Sequence, residues 1–75
     1  MEKKRIPTRL NWKLGRRIRK YRKIKSLTQA ELAEAVKLST VFIAMIEVGL
    51  SRPSFKSLEK IARVLDVKAS ELLPF

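Results

Sequence analysis

A chain of 75 residues has room for one domain with a modest core, and the absence of cysteine and histidine excludes disulfides, thiolate or imidazole chemistry and metal sites built from those ligands. No apolar run approaches the ~20 residues that span a bilayer, and no apolar stretch of signal-peptide length follows the charged N-terminus, so a soluble, cytoplasmic protein with no membrane role is expected. The formal charge of +11 sits in residues 1–25, which hold 12 of the 18 Lys and Arg and one of the seven acids; this bias points to a polyanionic partner, nucleic acid or acidic membrane surface, against the blander alternative of a solvated basic face.

Residues 1–9 are basic, carry Pro7 and lack apolar periodicity, so they read as a flexible arm before a domain of residues 10–75. From Leu10 the pattern turns helical. Leu10, Leu14, Ile18 and Tyr21 share one stripe, and Arg16, Arg17, Arg19, Lys20 and Lys23 lie opposite. Lys23 and Lys25 suit the C-terminal end of this first helix, which should stop near Ser26. Trp12, near its start, reads as a partly buried core residue rather than a stacking platform for bases.

Thr28-Gln29-Ala30-Glu31 is a capping box, and it opens a second helix through Leu32, Ala33 and Val36. Lys37-Leu38-Ser39 interrupts the pattern. Ser39 then caps a third helix, Thr40 to about Val48, with Ile43 and Ile46 inward and Gly49 as its stop. Pro53-Ser54 opens a fourth helix whose apolar face is Phe55, Leu58, Ile61, Ala62 and Leu65. Asp66-Val67 breaks it. A last short helix runs from about Ala69 to Leu73, and Pro74 ends it. The expected class is all-α, with five short helices and no convincing strand.

Residues Thr28 to Gly49, TQAELAEAVKLSTVFIAMIEVG, closely resemble the helix-turn-helix of the Xre family, the phage-repressor and Cro-like DNA-binding proteins. Gln29, Leu32, Ala33, Leu38, Ser39, Ile43, Ile46, Glu47 and Gly49 fall in the family's register, and the likeness covers about residues 10–73. The resemblance implies a five-helix, lambda-repressor-like domain acting as a sequence-specific regulator on double-stranded DNA, as a homodimer. Physically, Ala33 is small where the second and third helices must approach. Leu32, Leu38, Ile43 and Ile46 would pin the angle that lets the third helix enter a major groove about 12 Å wide.

The resemblance also assigns roles. The base-reading positions map onto Thr40, Val41, Ala44 and Met45, which offer one hydroxyl and an otherwise apolar face. That face has no Arg or Lys for guanine and no Asn or Gln for adenine, so weak direct readout with a preference for thymine-containing steps is expected. Gln29 is expected on a DNA phosphate at the start of the second helix, the alternative being a solvated Gln beside a cap. Arg22 and Glu47 match an orienting ion pair, with a secondary phosphate contact open to Arg22. Arg52 is expected on the backbone or else solvated. Lys3, Lys4, Arg5 and Arg9 resemble the basic arms that some phage repressors wrap around DNA.

Two departures stand out. Lys37 occupies a turn position where the family commonly has Gly, at a cost on the order of 1 kcal/mol. Val48 stands where relatives often carry Asn or a basic residue. Leu72, Leu73 and Phe75 are the apolar candidates for a dimer interface. The competing function is a protein-interaction module that uses an exposed Val41, Met45 and Val48 patch, with Phe42 joining it or packing beneath. Membrane-surface binding by the first helix would expose side chains its fold needs for a core. No enzymatic role, cofactor, metal or small-molecule effector domain is expected.

Overall fold

The computed structural model describes residues 8–74. Five helices follow one another: α1 (Arg9–Ile24), α2 (Gln29–Val36), α3 (Thr40–Glu47), α4 (Phe55–Leu65) and α5 (Ala69–Leu72). No strand occurs among the described residues. The helix starts follow from local chemistry. The Thr28 hydroxyl accepts from the Glu31 backbone N–H at 3.0 Å, and the Glu31 carboxylate accepts from the Thr28 N–H at 2.8 Å, which completes the capping box. Ser39 caps α3 through the Phe42 N–H at 3.0 Å, and Ser54 caps α4 through the Ser57 N–H at 3.1 Å.

α1 begins one residue earlier than the periodicity predicts. Thr8 is its N-cap, accepting from the Asn11 N–H at 3.1 Å, so Arg9 belongs to the helix and not to the arm. Lys3, Lys4 and Arg5 lie outside the described residues. Lys37 adopts the left-handed conformation (φ 62°, ψ 40°), and its N–H together with that of Leu38 closes the end of α2 onto the Glu34 and Ala33 carbonyls. Asp66 repeats the device at the end of α4.

The core is a single cluster. α1 contributes Leu14 and Ile18, α2 Leu32, Ala33 and Val36, and α3 Ile43 and Ile46; α4 and α5 add Leu58, Ile61, Ala62, Leu65 and Leu72. Two residues assigned to apolar faces by periodicity are not part of it. Leu10 is 52% exposed and Phe55 68% exposed. Both sit in the first turn of their helices, before the stripe reaches the other elements; Leu14 and Leu58 are the first side chains to do so. Leu10 instead lines a shallow surface depression with Phe42, Leu50 and Arg52.

A third correction concerns the proposed dimer face. Leu72 is fully buried against the body of its own chain, so it has no surface to give a partner. Leu73 is half-buried, and its carbonyl accepts from the Arg17 guanidinium. Phe75 lies outside the described residues.

Gly15, which no sequence motif marks, sets the distance between α1 and α3. A Cβ placed there would lie 2.1 Å from the Ile46 carbonyl oxygen and 2.8 Å from that of Glu47. Both are backbone atoms, so no side-chain rotation relieves the clash. Gly15→Ala should destabilise the domain by at least about 3 kcal/mol, the upper part of the usual overpacking range. Urea denaturation measures this directly, and a variant within about 1 kcal/mol of the parent would contradict the close approach.

Candidate nucleic-acid interface

α2, the Lys37 turn and α3 form a helix-turn-helix. Leu32, Ala33 and Val36 on α2 meet Ile43 and Ile46 on α3, so the inner faces of both helices are consumed in holding their crossing. α3 therefore turns its other face outward. Thr40 and Val41 are exposed, Ala44 and Met45 are half-buried, and Val48 just past the helix is exposed. These five residues fall on one side of the helix at three- and four-residue spacing. Phe42 does not join them; it is half-buried and packs against the core.

The far end of α3 is clamped to α1. Arg22 Nε donates to Glu47 Oε2 at 2.6 Å and Arg22 Nη2 donates to Oε1 at 3.0 Å, which makes a bidentate pair. Arg22 Nη1 donates to the Leu27 carbonyl at 2.8 Å, so the same guanidinium also ties down the α1–α2 connection. Both partners are buried. The hydrogen bond to Glu47, with its charge, outweighs burial and holds the Arg22 guanidinium above its ordinary range. The ion pair is as the sequence predicts. The secondary phosphate contact of Arg22 is not retained, because the group is buried with three of its nitrogens already engaged.

Gln29 is half-buried and already has a partner. Its Nε2 donates to Glu47 Oε1 at 3.1 Å, so the start of α2 is fastened to the end of α3. Only the spatial meeting of α2 and α3 shows this contact; nothing in the local sequence marks it. Arg52 is exposed on the connection after α3 and shares the depression formed by Arg9, Leu10, Asn11 and Phe42, beside the first turn of α3. Along α1, Arg16, Arg19, Lys20 and Lys23 line a groove with Glu47 and Val48. Trp12 lies in the same groove, 45% exposed and outside the core expected for it, with the Arg16 guanidinium 4.8 Å from the ring centre. The Trp12 backbone also meets Gly49, where a Cβ would lie 2.9 Å from Trp12 Cα and where φ is +81°. Gly49 thus both ends α3 and lets α1 pass.

The surface around α3 is cationic on two sides and apolar in the middle. Among the described residues no cluster of acidic, His or Cys side chains could hold a metal ion, and no helix is long and apolar enough to cross a membrane.

A reading helix held outward by a helix-turn-helix and flanked by cations defines a nucleic-acid-binding domain of the helix-turn-helix class. The family model described as helix-turn-helix matches residues 18–72. The uncharacterized HTH-type transcriptional regulator YazB of Bacillus subtilis is 42% identical over 60 residues, covering 80% of this chain and 87% of YazB. The B. subtilis HTH-type transcriptional regulator SinR is 41% identical over 61 residues, 80% of this chain but 55% of SinR. Among solved structures, SinR in complex with DNA superposes with a TM-score of 0.75 at 40% identity, over 79% of this chain and 95% of that one. The restriction–modification controller protein C.AhdI from Aeromonas hydrophila does so with a TM-score of 0.80 at 32% identity, over 84% and 96%. The chain belongs to the Xre-type helix-turn-helix family.

Removing one half of the α1–α3 clamp leaves the other charge buried without a partner. Glu47→Ala should therefore cost roughly 3–5 kcal/mol, more than the intact pair contributes. In thermal or urea unfolding, Arg22→Met combined with Glu47→Leu should recover much of that loss; equal losses in single and double variants would mean that the charges are not coupled.

Proposed function

We propose that this protein regulates transcription by docking α3 in the major groove of duplex DNA, as a cytoplasmic, non-catalytic homodimer. It is a DNA-binding transcriptional regulator by family. The observation that carries the docking mode is the outward face of α3, fixed at one end by the Lys37 turn and at the other by Glu47. Thr40 can exchange a hydrogen bond with a base edge, while Val41, Ala44 and Met45 offer apolar contact to thymine methyls. Such a face discriminates weakly, so phosphate contacts and the deformability of the site supply the rest of the selectivity.

Arg52 holds the backbone next to the first turn of α3. Gln29 holds it at the start of α2, where free N–H groups suit an anion and where its bond to Glu47 presets its position. Lys3, Lys4 and Arg5 add non-specific attraction. With Leu72 committed to the core, the two-fold contact rests on Leu73 and Phe75, and two half-sites about 34 Å apart follow. A protein partner on the apolar α3 face is not favoured, since it leaves the cationic flanks without a counterpart.

Binding to random-sequence duplex should weaken steeply between about 50 and 200 mM salt, as several counterions are released. Arg52→Ala should lower affinity for all sequences alike, whereas Thr40→Ala should change the base preference recovered by selection from a random duplex pool. Lack of binding at low salt, measured by fluorescence anisotropy, contradicts the proposal.

A further inference from the structure

The cations of α1 are not distributed around the helix at random. Arg16, Arg19 and Lys23 follow at three- and four-residue spacing, with Lys20 between them, so they share one face. All four are exposed. None of them has an acidic partner among the ion pairs of the described residues, in contrast to Lys25, which lies 3.6 Å from Asp66. Four like charges on two turns of helix repel one another, and a folded chain keeps such a face most readily against an anionic counterpart.

Position decides what that counterpart is. These cations share a groove with Glu47 and Val48. Val48 continues the outward side of α3, and Glu47 accepts from Gln29, which stands at the first turn of α2. The start of α2, the end of α3 and the basic face of α1 are therefore one contiguous surface. Val48 itself brings no charge to it. A DNA strand held at Gln29 and passing Val48 meets the face of α1 that carries Arg16, Arg19, Lys20 and Lys23. Trp12, whose backbone lies against Gly49, carries the Arg16 guanidinium 4.8 Å from its ring centre.

We infer that the outer face of α1 is a second phosphate-binding track, which holds the DNA backbone flanking the segment that α3 reads. On the duplex-DNA reading given above, this track supplies affinity that the apolar α3 face does not. It also explains why the excess positive charge lies on α1 and not on the reading helix. The contacts are to phosphates, so they add no base preference.

The test compares two triple variants that remove equal charge. Arg16→Gln, Arg19→Gln and Lys23→Gln clear the track; Lys60→Gln, Arg63→Gln and Lys68→Gln clear exposed cations of the α4–α5 side. All six side chains are exposed, so both variants should keep the parent's Tm. On a random-sequence 24-base-pair duplex, about 0.9 of a counterion is released per phosphate contact, so the track variant should lose about two to three units from the slope of log affinity against log salt. The control variant should lose less than about one. Equal losses in the two variants would show a general field of net charge and overturn the track. An unchanged slope in the track variant, with the parent still binding, overturns the track alone; if that face instead proves necessary for binding vesicles of anionic phospholipid, it belongs to a membrane surface. No binding of the parent at low salt removes both the track and the DNA reading.

Discussion

The orientation of α3 depends on the clamp between Arg22 and Glu47. α3 has eight residues, too few to be stable as an isolated helix in water, so its direction comes from what holds it. Ile43 and Ile46 bury one side, but apolar contacts alone tolerate some sliding and rotation. The bidentate pair from Arg22, whose guanidinium is itself held by the Leu27 carbonyl, and the Gln29 amide converge on Glu47 in the last turn and remove that freedom. Gly15 lets the α1 and α3 backbones come close enough for this geometry to close. A buried ion pair is poor evidence of stability, because desolvation offsets most of its attraction. Its value here is in direction: Glu47 has one place to go.

This arrangement separates holding from reading. The outer side of α3 carries a single hydroxyl among apolar side chains, while the cations occupy α1 and the connection after α3. On the proposed reading, affinity would reside mainly in contacts that are blind to sequence, and discrimination in a few methyl contacts and the shape of the duplex. Such a protein would respond strongly to ionic strength and would gain selectivity by pairing two half-sites. The part of the transcriptional regulator SinR that this chain matches is about half of that protein.

Much of the fold was legible because its boundaries are written in local chemistry. Thr28 with Glu31, Ser39 and Ser54 announce helix starts through hydroxyls that satisfy free backbone N–H groups. Lys37 was readable as a strained turn only through its place in the family motif; as a residue type it gives no hint of a left-handed conformation. Periodicity located apolar faces but not their limits, which is why Leu10 and Phe55 were placed in a core that begins one turn later. Adjacent Leu72 and Leu73 look alike in sequence, and only packing decides which of them is enclosed. Gly15 resembles a weak helix residue until the α3 carbonyls are placed against it. The Gln29–Glu47 bond and the α1 groove share this character, since each needs two separate helices to be packed together, α2 with α3 for the bond and α1 with α3 for the groove.

The central claim, that α3 is held outward to meet duplex DNA, is tested most directly by following backbone amide resonances of isotope-labelled protein during titration with a duplex. The largest shifts should fall on Thr40 to Met45 and on Thr28 to Ala30, with α5 and the outer face of α4 little changed. Shifts centred on α4 and α5, with the amides of α3 unmoved at saturation, would contradict the account.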